Sequence, residues 1–185
     1  MKRSVLLSIV VICFVSFLVA PAVHAAGPVN ACGIFTKSDA ESLFNAKAQA
    51  QKLEKVSAPA GNLCAYAFKI KGTTCVIKVR VSSSEEIKAE KIFKSARDAF
   101  ERQKKARMAN PDTAKKMRNI PALGEEAFWN GYDLWIIKAD YLFVLLAQPH
   151  LEGSFPTSEA MGKAREQQNF NYTQNMAMII MSKMK

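Results

Sequence analysis

Three runs late in the chain, residues 125–129, 132–138 and 141–148, are apolar on both of their sides. Read with a period of two, Ala127, Trp129, Leu134, Ile136, Phe143 and Leu145 share one face. Trp135, Ile137, Leu142, Val144 and Leu146 share the other. Strands of this kind need cover above and below, because each large side chain left in water forfeits about 1.5–3 kcal/mol. Asn130-Gly131 between the first two runs is a hairpin signal, since a tight return needs residues that accept positive φ. Ala139-Asp140 turns the second run into the third.

A second hairpin lies upstream. Cys64, Tyr66, Phe68 and Ile70 alternate with Ala65, Ala67 and Lys69, and Cys75, Ile77, Val79 and Val81 alternate with Val76, Lys78 and Arg80. A two-residue loop at Lys71-Gly72 pairs Phe68 with Cys75 and brings both apolar sets to one face. Helices are expected in three places. Thr36-Lys37-Ser38-Asp39 resembles a capping box, followed by Ala40, Leu43 and Phe44 on one side. Ser82-Ser83-Ser84-Glu85-Glu86 holds two overlapping boxes and opens a long helix expected to reach about Met108, with Ala89, Ile92, Phe93, Ala96, Ala99, Phe100 and Gln103 in one stripe. Residues 158–184 make the last helix, and residues 47–62 read as a mixed stretch ending in a loop. The expected fold is a single α+β domain over residues 26–185. Its antiparallel sheet of about five strands is packed by three helices, in the order α-β-β-α-β-β-β-α.

The chain begins as an exported protein does. Met1-Lys2-Arg3 is basic, residues 5–20 are apolar, and Pro21-Ala22-Val23-His24-Ala25 ends in small residues, so a signal peptide (residues 1–25) is expected to be cleaved after Ala25. The run is shorter than the roughly 20 apolar residues of a membrane span and is interrupted by Ser8 and Ser16. No lipid box precedes Cys13 or Cys32. Residues 26–185 are therefore expected in the periplasm or outside the cell, with no stable membrane insertion. Cys32, Cys64 and Cys75 remain, in a compartment that favours disulfides. Cys64 and Cys75 lie on paired strands about four residues out of register, too far apart to bridge. Cys32 is left to join one of them, with Cys32–Cys64 favoured and Cys75 a buried free thiol.

The net charge is +10, of which Lys2 and Arg3 of the leader supply two. The excess sits in residues 26–118, whereas 119–185 are nearly balanced. That favours anionic neighbours such as lipopolysaccharide, phospholipid headgroups or acidic proteins, though it serves solubility equally well. Nucleic acid is not expected outside the cytoplasm. Beyond the leader the only histidine is His150, with no nucleophile-elbow pattern around it. One histidine with scattered cysteines makes no zinc site, and the glycines are too dispersed to cradle a phosphate. Glu125 and Glu126 are adjacent, so on a strand they point to opposite faces. No catalytic residue, cofactor or resident metal is expected, and the reading is not an enzyme. Two features carry binding ideas. Met176, Met178, Met181 and Met184 have spacings that suit Cu(I), although methionines on an apolar helix also fill cores. If the last helix covers only one sheet face, Trp135, Ile137, Leu142 and Val144 would form an apolar patch beside Lys78 and Arg80, fit for an anionic amphiphile or a partner's apolar edge.

Two stretches carry a likeness. Residues 31–41, Ala-Cys-Gly-Ile-Phe-Thr-Lys-Ser-Asp-Ala-Glu, followed by Cys64-Ala65-Tyr66, form the first. Residues 123–129, Leu-Gly-Glu-Glu-Ala-Phe-Trp, followed by Leu134-Trp135-Ile136-Ile137-Lys138, form the second. Both are similar to segments of small exported bacterial α+β domains of unknown function. Their helix start follows a Cys, two apolar residues and Thr, and a second Cys precedes an aromatic strand. The resemblance implies the Cys32–Cys64 pairing and the α+β order, and carries over no catalytic residue. The expected role is an exported, non-enzymatic cell-envelope protein that binds a partner or an anionic or amphiphilic ligand. The alternatives are a Cu(I)-binding envelope protein and an inhibitor of an exported enzyme.

Overall fold

A computed structural model of the protein describes residues 29–184; the expected leader and its cleavage point lie outside them. In chain order the described elements are α1 (Ala31–Ile34), α2 (Lys37–Phe44), β1 (Ala50–Val56), β2 (Gly61–Ile70), β3 (Thr73–Ser83), α3 (Ser84–Ala89), α4 (Ala96–Ala109), α5 (Pro111–Ala114), β4 (Arg118–Asn119), β5 (Glu126–Trp129), β6 (Leu134–Lys138), β7 (Tyr141–Gln148) and α6 (Ser158–Lys183). The strands make one antiparallel sheet in the order β1-β2-β3-β7-β6-β5-β4. The α+β class is as expected. The five strands and three helices become seven and six among the described residues, and the element order changes accordingly.

Each difference has a local cause. β1 lies inside the stretch expected to be irregular. It is an edge strand with most of its residues exposed on either face, so burial imposes no alternation on its sequence. β4 is two residues long. The long helix after Ser82 is broken in two. The Ser83–Glu86 capping box starts α3. After Lys91, which takes a left-handed φ of 62°, Ser95 caps a new helix by accepting the Asp98 N–H. Ala89 and Ile92 of the expected stripe are therefore exposed, Ile92 by 52%, and Ile87 is buried in their place. Glu90, freed by the break, accepts N–H groups from Ala58 and Ala60 and ties down the loop before β2.

The first hairpin has the expected register, with Phe68 opposite Cys75. Lys71 and Gly72 both have positive φ, 49° and 78°, as a two-residue type I′ loop demands. The second hairpin is wider. Trp129 pairs with Leu134, and Asn130 Oδ1 accepts the N–H groups of Tyr132 and Asp133 across a four-residue loop.

The two faces of the sheet are covered differently. On the first, α6 lays Met176, Ala177 and Ile180 on Trp129, Leu134, Ile136, Phe143 and Leu145, while α1 and α2 bring Phe35 and Phe44 onto Cys64, Tyr66, Phe68 and Ile77. Phe44 packs against both Phe68 and Tyr172. The Ala147 N–H, which lies past the β6 pairing, is taken by Thr173 Oγ1 of α6 at 3.0 Å. A Cys32–Cys64 disulfide, Cα–Cα 5.1 Å, fastens α1 to β2. Next to it, Tyr66 donates its hydroxyl to the Phe35 carbonyl at 2.6 Å, and burial pushes its pKa up to about 12. Cys75 is free and buried, and burial raises its thiol pKa. On the second face, Ile87 of α3 and Ala96, Ala99 and Phe100 of α4 cover Phe128, Trp135, Ile137 and Leu142.

Candidate functional site: the half-covered sheet face

The second face is crossed by rows of side chains that the strand register places side by side. One row runs Glu54, Leu63, Arg80, Val144, Trp135, Phe128; the next runs Lys52, Ala65, Lys78, Leu146; a third runs Ala50, Ala67, Val76, Gln148. Cover by α3 and α4 spans Phe128, Trp135, Ile137 and Leu142, thins out at Val144 and then stops. Past it, Leu63, Ala65, Ala67, Val76, Arg80 and Val144 are half-buried and Lys78 is exposed. The same two strands bury Cys64, Tyr66, Phe68, Cys75, Ile77 and Val79 completely on their other side. The result is a half-covered strip, or trough, floored by small apolar side chains and walled on the α4 side by Arg107 over Trp135.

Charge is concentrated along that wall and floor. Arg107 of α4 lays its guanidinium 4.4 Å from the centre of the Trp135 ring, an arrangement that stabilises both groups when partly desolvated. It is held by Gln103, whose side-chain oxygen accepts from Nη1 at 2.5 Å. Burial lowers the pKa of Arg107 and of Arg80. Asp133, in the β5–β6 loop, has its pKa raised to about 6 by burial, against the pull of Arg107, an Asn130 hydrogen bond and Lys78. Lys52 pairs with Glu54 at the sheet edge. Cations outnumber acids on this face by a small margin, with Lys52, Lys78, Arg80 and Arg107 set against Glu54, Asp133 and Glu90, the last acting on Arg80. Two N–H donors here, Arg80 Nε and Trp135 Nε1, are buried without an acceptor, although Arg80 Nη2 reaches the Ser57 carbonyl at 3.0 Å.

The expected ligand patch is only partly present. Trp135, Ile137 and Leu142 lie under α3 and α4 and form no open surface; the correction follows from the second face having helices of its own. Val144, Lys78 and Arg80 do border the open part. The floor residues Leu63, Ala65, Ala67 and Val76, and the wall residues Arg107 and Asp133, were not anticipated. The one available signal was Ala65-x-Ala67-x-Lys69 on the back of the first hairpin, which is too small and polar for a buried strand face.

Other features are less suited to a ligand. A cavity of about 450 Å³ between α2, α6 and the loop after β7 is lined by Phe44, Ile70, His150, Glu152, Phe155 and Tyr172, among others. There His150 shares a wall with a carboxylate and a phenol, but Glu152 is turned to Lys71 Nζ at 2.5 Å, and that bond lowers its pKa. A groove between α5 and α6 holds Lys116, Arg118 and Lys163, each already paired with Glu159 or Glu166. The methionines are split. Met176 is wholly buried in the core, Met178 is 53% exposed, and Met181 and Met184 lean on the core. Among the described residues no cluster of three or more His, Cys, Asp or Glu could hold a metal, and no helix is long and apolar enough to cross a membrane. No family model, curated protein or solved structure matches the chain.

Proposed function

We propose that this is an exported, non-enzymatic cell-envelope protein that binds an anionic amphiphile in the trough on the second sheet face. One observation carries the reading: β2 and β3 are fully buried on one side and only half-buried on the other, where their floor is alanine, leucine and valine beside Lys78, Arg80 and Arg107. An acyl chain on Leu63, Ala65, Ala67 and Val76 would exclude water from a surface that the fold leaves wet. The headgroup would lie against the cations, where shape is loosely specified and charge does the selecting. The Cys32–Cys64 bond supports an oxidising compartment.

The test uses a single-chain lysophospholipid below its micelle concentration, with lysophosphatidylglycerol compared with lysophosphatidylcholine by calorimetry. The anionic lipid is expected to bind more tightly, and added salt to weaken it. K78E and R107A should each lower its affinity roughly tenfold, as the loss of one partly desolvated charge contact does. A65W should fill the floor and abolish binding. Equal binding of the two lipids, or full binding by A65W, overturns the proposal.

A further inference from the structure

Among the described residues the sheet has one long free edge, β1, and its charge pattern matches itself. We propose that β1 pairs antiparallel with β1 of a second copy of this chain, centred on Leu53, so that two sheets join into one. The direction of the backbone groups follows from the hairpin. In a two-residue type I′ loop the closing pair, here Ile70 and Thr73, exchanges both hydrogen bonds. Alternation then points the odd-numbered residues of β2 towards β1, where they bond Ala50, Lys52, Glu54 and Val56. The Gln49 N–H bond to the Ala67 carbonyl, at 2.9 Å, agrees with that direction. Gln51, Leu53 and Lys55 consequently aim their N–H and C=O groups outward, away from the sheet.

An antiparallel copy centred on Leu53 uses all of these groups. Leu53 meets Leu53 and Gln51 meets Lys55 in the hydrogen-bonded positions. Lys52 meets Glu54, twice over by symmetry, in the closer non-bonded positions where side chains touch best. Leu53, 48% exposed in one copy, gains an apolar neighbour on the axis. A register centred on Lys52 or on Glu54 would instead set like charges face to face. Edge strands generally carry charges that block such pairing; here the Lys52-Leu53-Glu54 order turns the guard into a self-complementary contact of the kind a two-fold interface requires. The other edge, β4, is too short to compete. Pairing would also run the two open troughs together across β3-β2-β1 of each copy.

Sedimentation of the purified chain over a concentration series tests this without any ligand, so its outcome is separate from that of lipid binding. The wild type is expected to dimerise reversibly. K52E and E54K should each weaken association about tenfold or more, because two attractive pairs become repulsive. The K52E/E54K double variant should restore it, and so should mixing the two single variants, one carrying two acids and the other two bases. L53P removes only an outward N–H, so it should keep the melting temperature and lose the dimer; if it unfolds, the charge exchange still decides. A chain that stays monomeric, or a dimer that neither single charge reversal weakens, or one that the double variant fails to restore, overturns the proposal.

Discussion

Replacing Asp133 by Asn should make the protein more stable at neutral pH and leave it unchanged in acid. Burial of the Asp133 carboxyl raises its pKa from 3.8 to about 6, against the pull of Arg107, Asn130 and Lys78. A raised acid binds its proton more tightly in the folded state, so the fold is favoured most below about pH 4 and loses that advantage as pH climbs through 6. Roughly two pKa units at 1.36 kcal/mol each amount to about 3 kcal/mol at most, reached above about pH 7. The amide of D133N keeps the shape and the acceptor for Asn130 but has nothing to ionise. Urea unfolding of both proteins at pH 4, 5.5 and 7.5 measures the gap directly, and the difference cancels every other carboxylate. The gap should be near zero at pH 4 and grow to a few kcal/mol at pH 7.5. For a chain of this size that is roughly 6–12 °C in Tm. A gap that is constant with pH, or that reverses so that wild type gains stability on ionisation, would show that Arg107 and Lys78 outweigh the burial and would refute the reasoning.

Two further outcomes test the fold. Removing the disulfide with C32S/C64S frees a loop with a sequence separation of 32, which should lower stability by about 4 kcal/mol in chemical denaturation; a loss below 1 kcal/mol would mean that α1 is held by packing alone. Gly61→Ala should cost about 1–3 kcal/mol, since a Cβ there runs into Ser82 Oγ and the fixed Val81 carbonyl. A G61A protein that melts with the wild type would place β2 and β3 further apart than described.

Much of the fold could be read from patterns in which local and distant demands coincide. The first hairpin carries an alternation and a turn that specify the same register, and Phe68 opposite Cys75 follows from either. The three doubly apolar strands state that both faces are covered, and α6 spans Ser158–Lys183 almost as its stripe implies. The break at Lys91–Ser95 went unread because helical periodicity continues through it. The deciding signal was Ser95 three residues before Asp98, a cap hidden in mid-pattern. The Cys32–Cys64 choice needed more than spacing, for Cys64 and Cys75 share one face of the sheet.

What the linear chain determined by itself was the chemistry of its parts: which strands are apolar on one side or on both, which helices have caps, and which cysteines cannot meet. Tertiary structure alone decided which half of the second face α4 would leave open, and that Arg107, Asp133 and Lys78 would gather at its margin from a helix, a loop and a strand. Periodicity reports whether a residue is buried within its own element. It carries no information on how far a neighbouring element reaches, because that depends on helix length and placement set by distant packing. The free edge of β1 is a case of the same rule. Its charges were legible from the start, but only the strand order put nothing described beyond them.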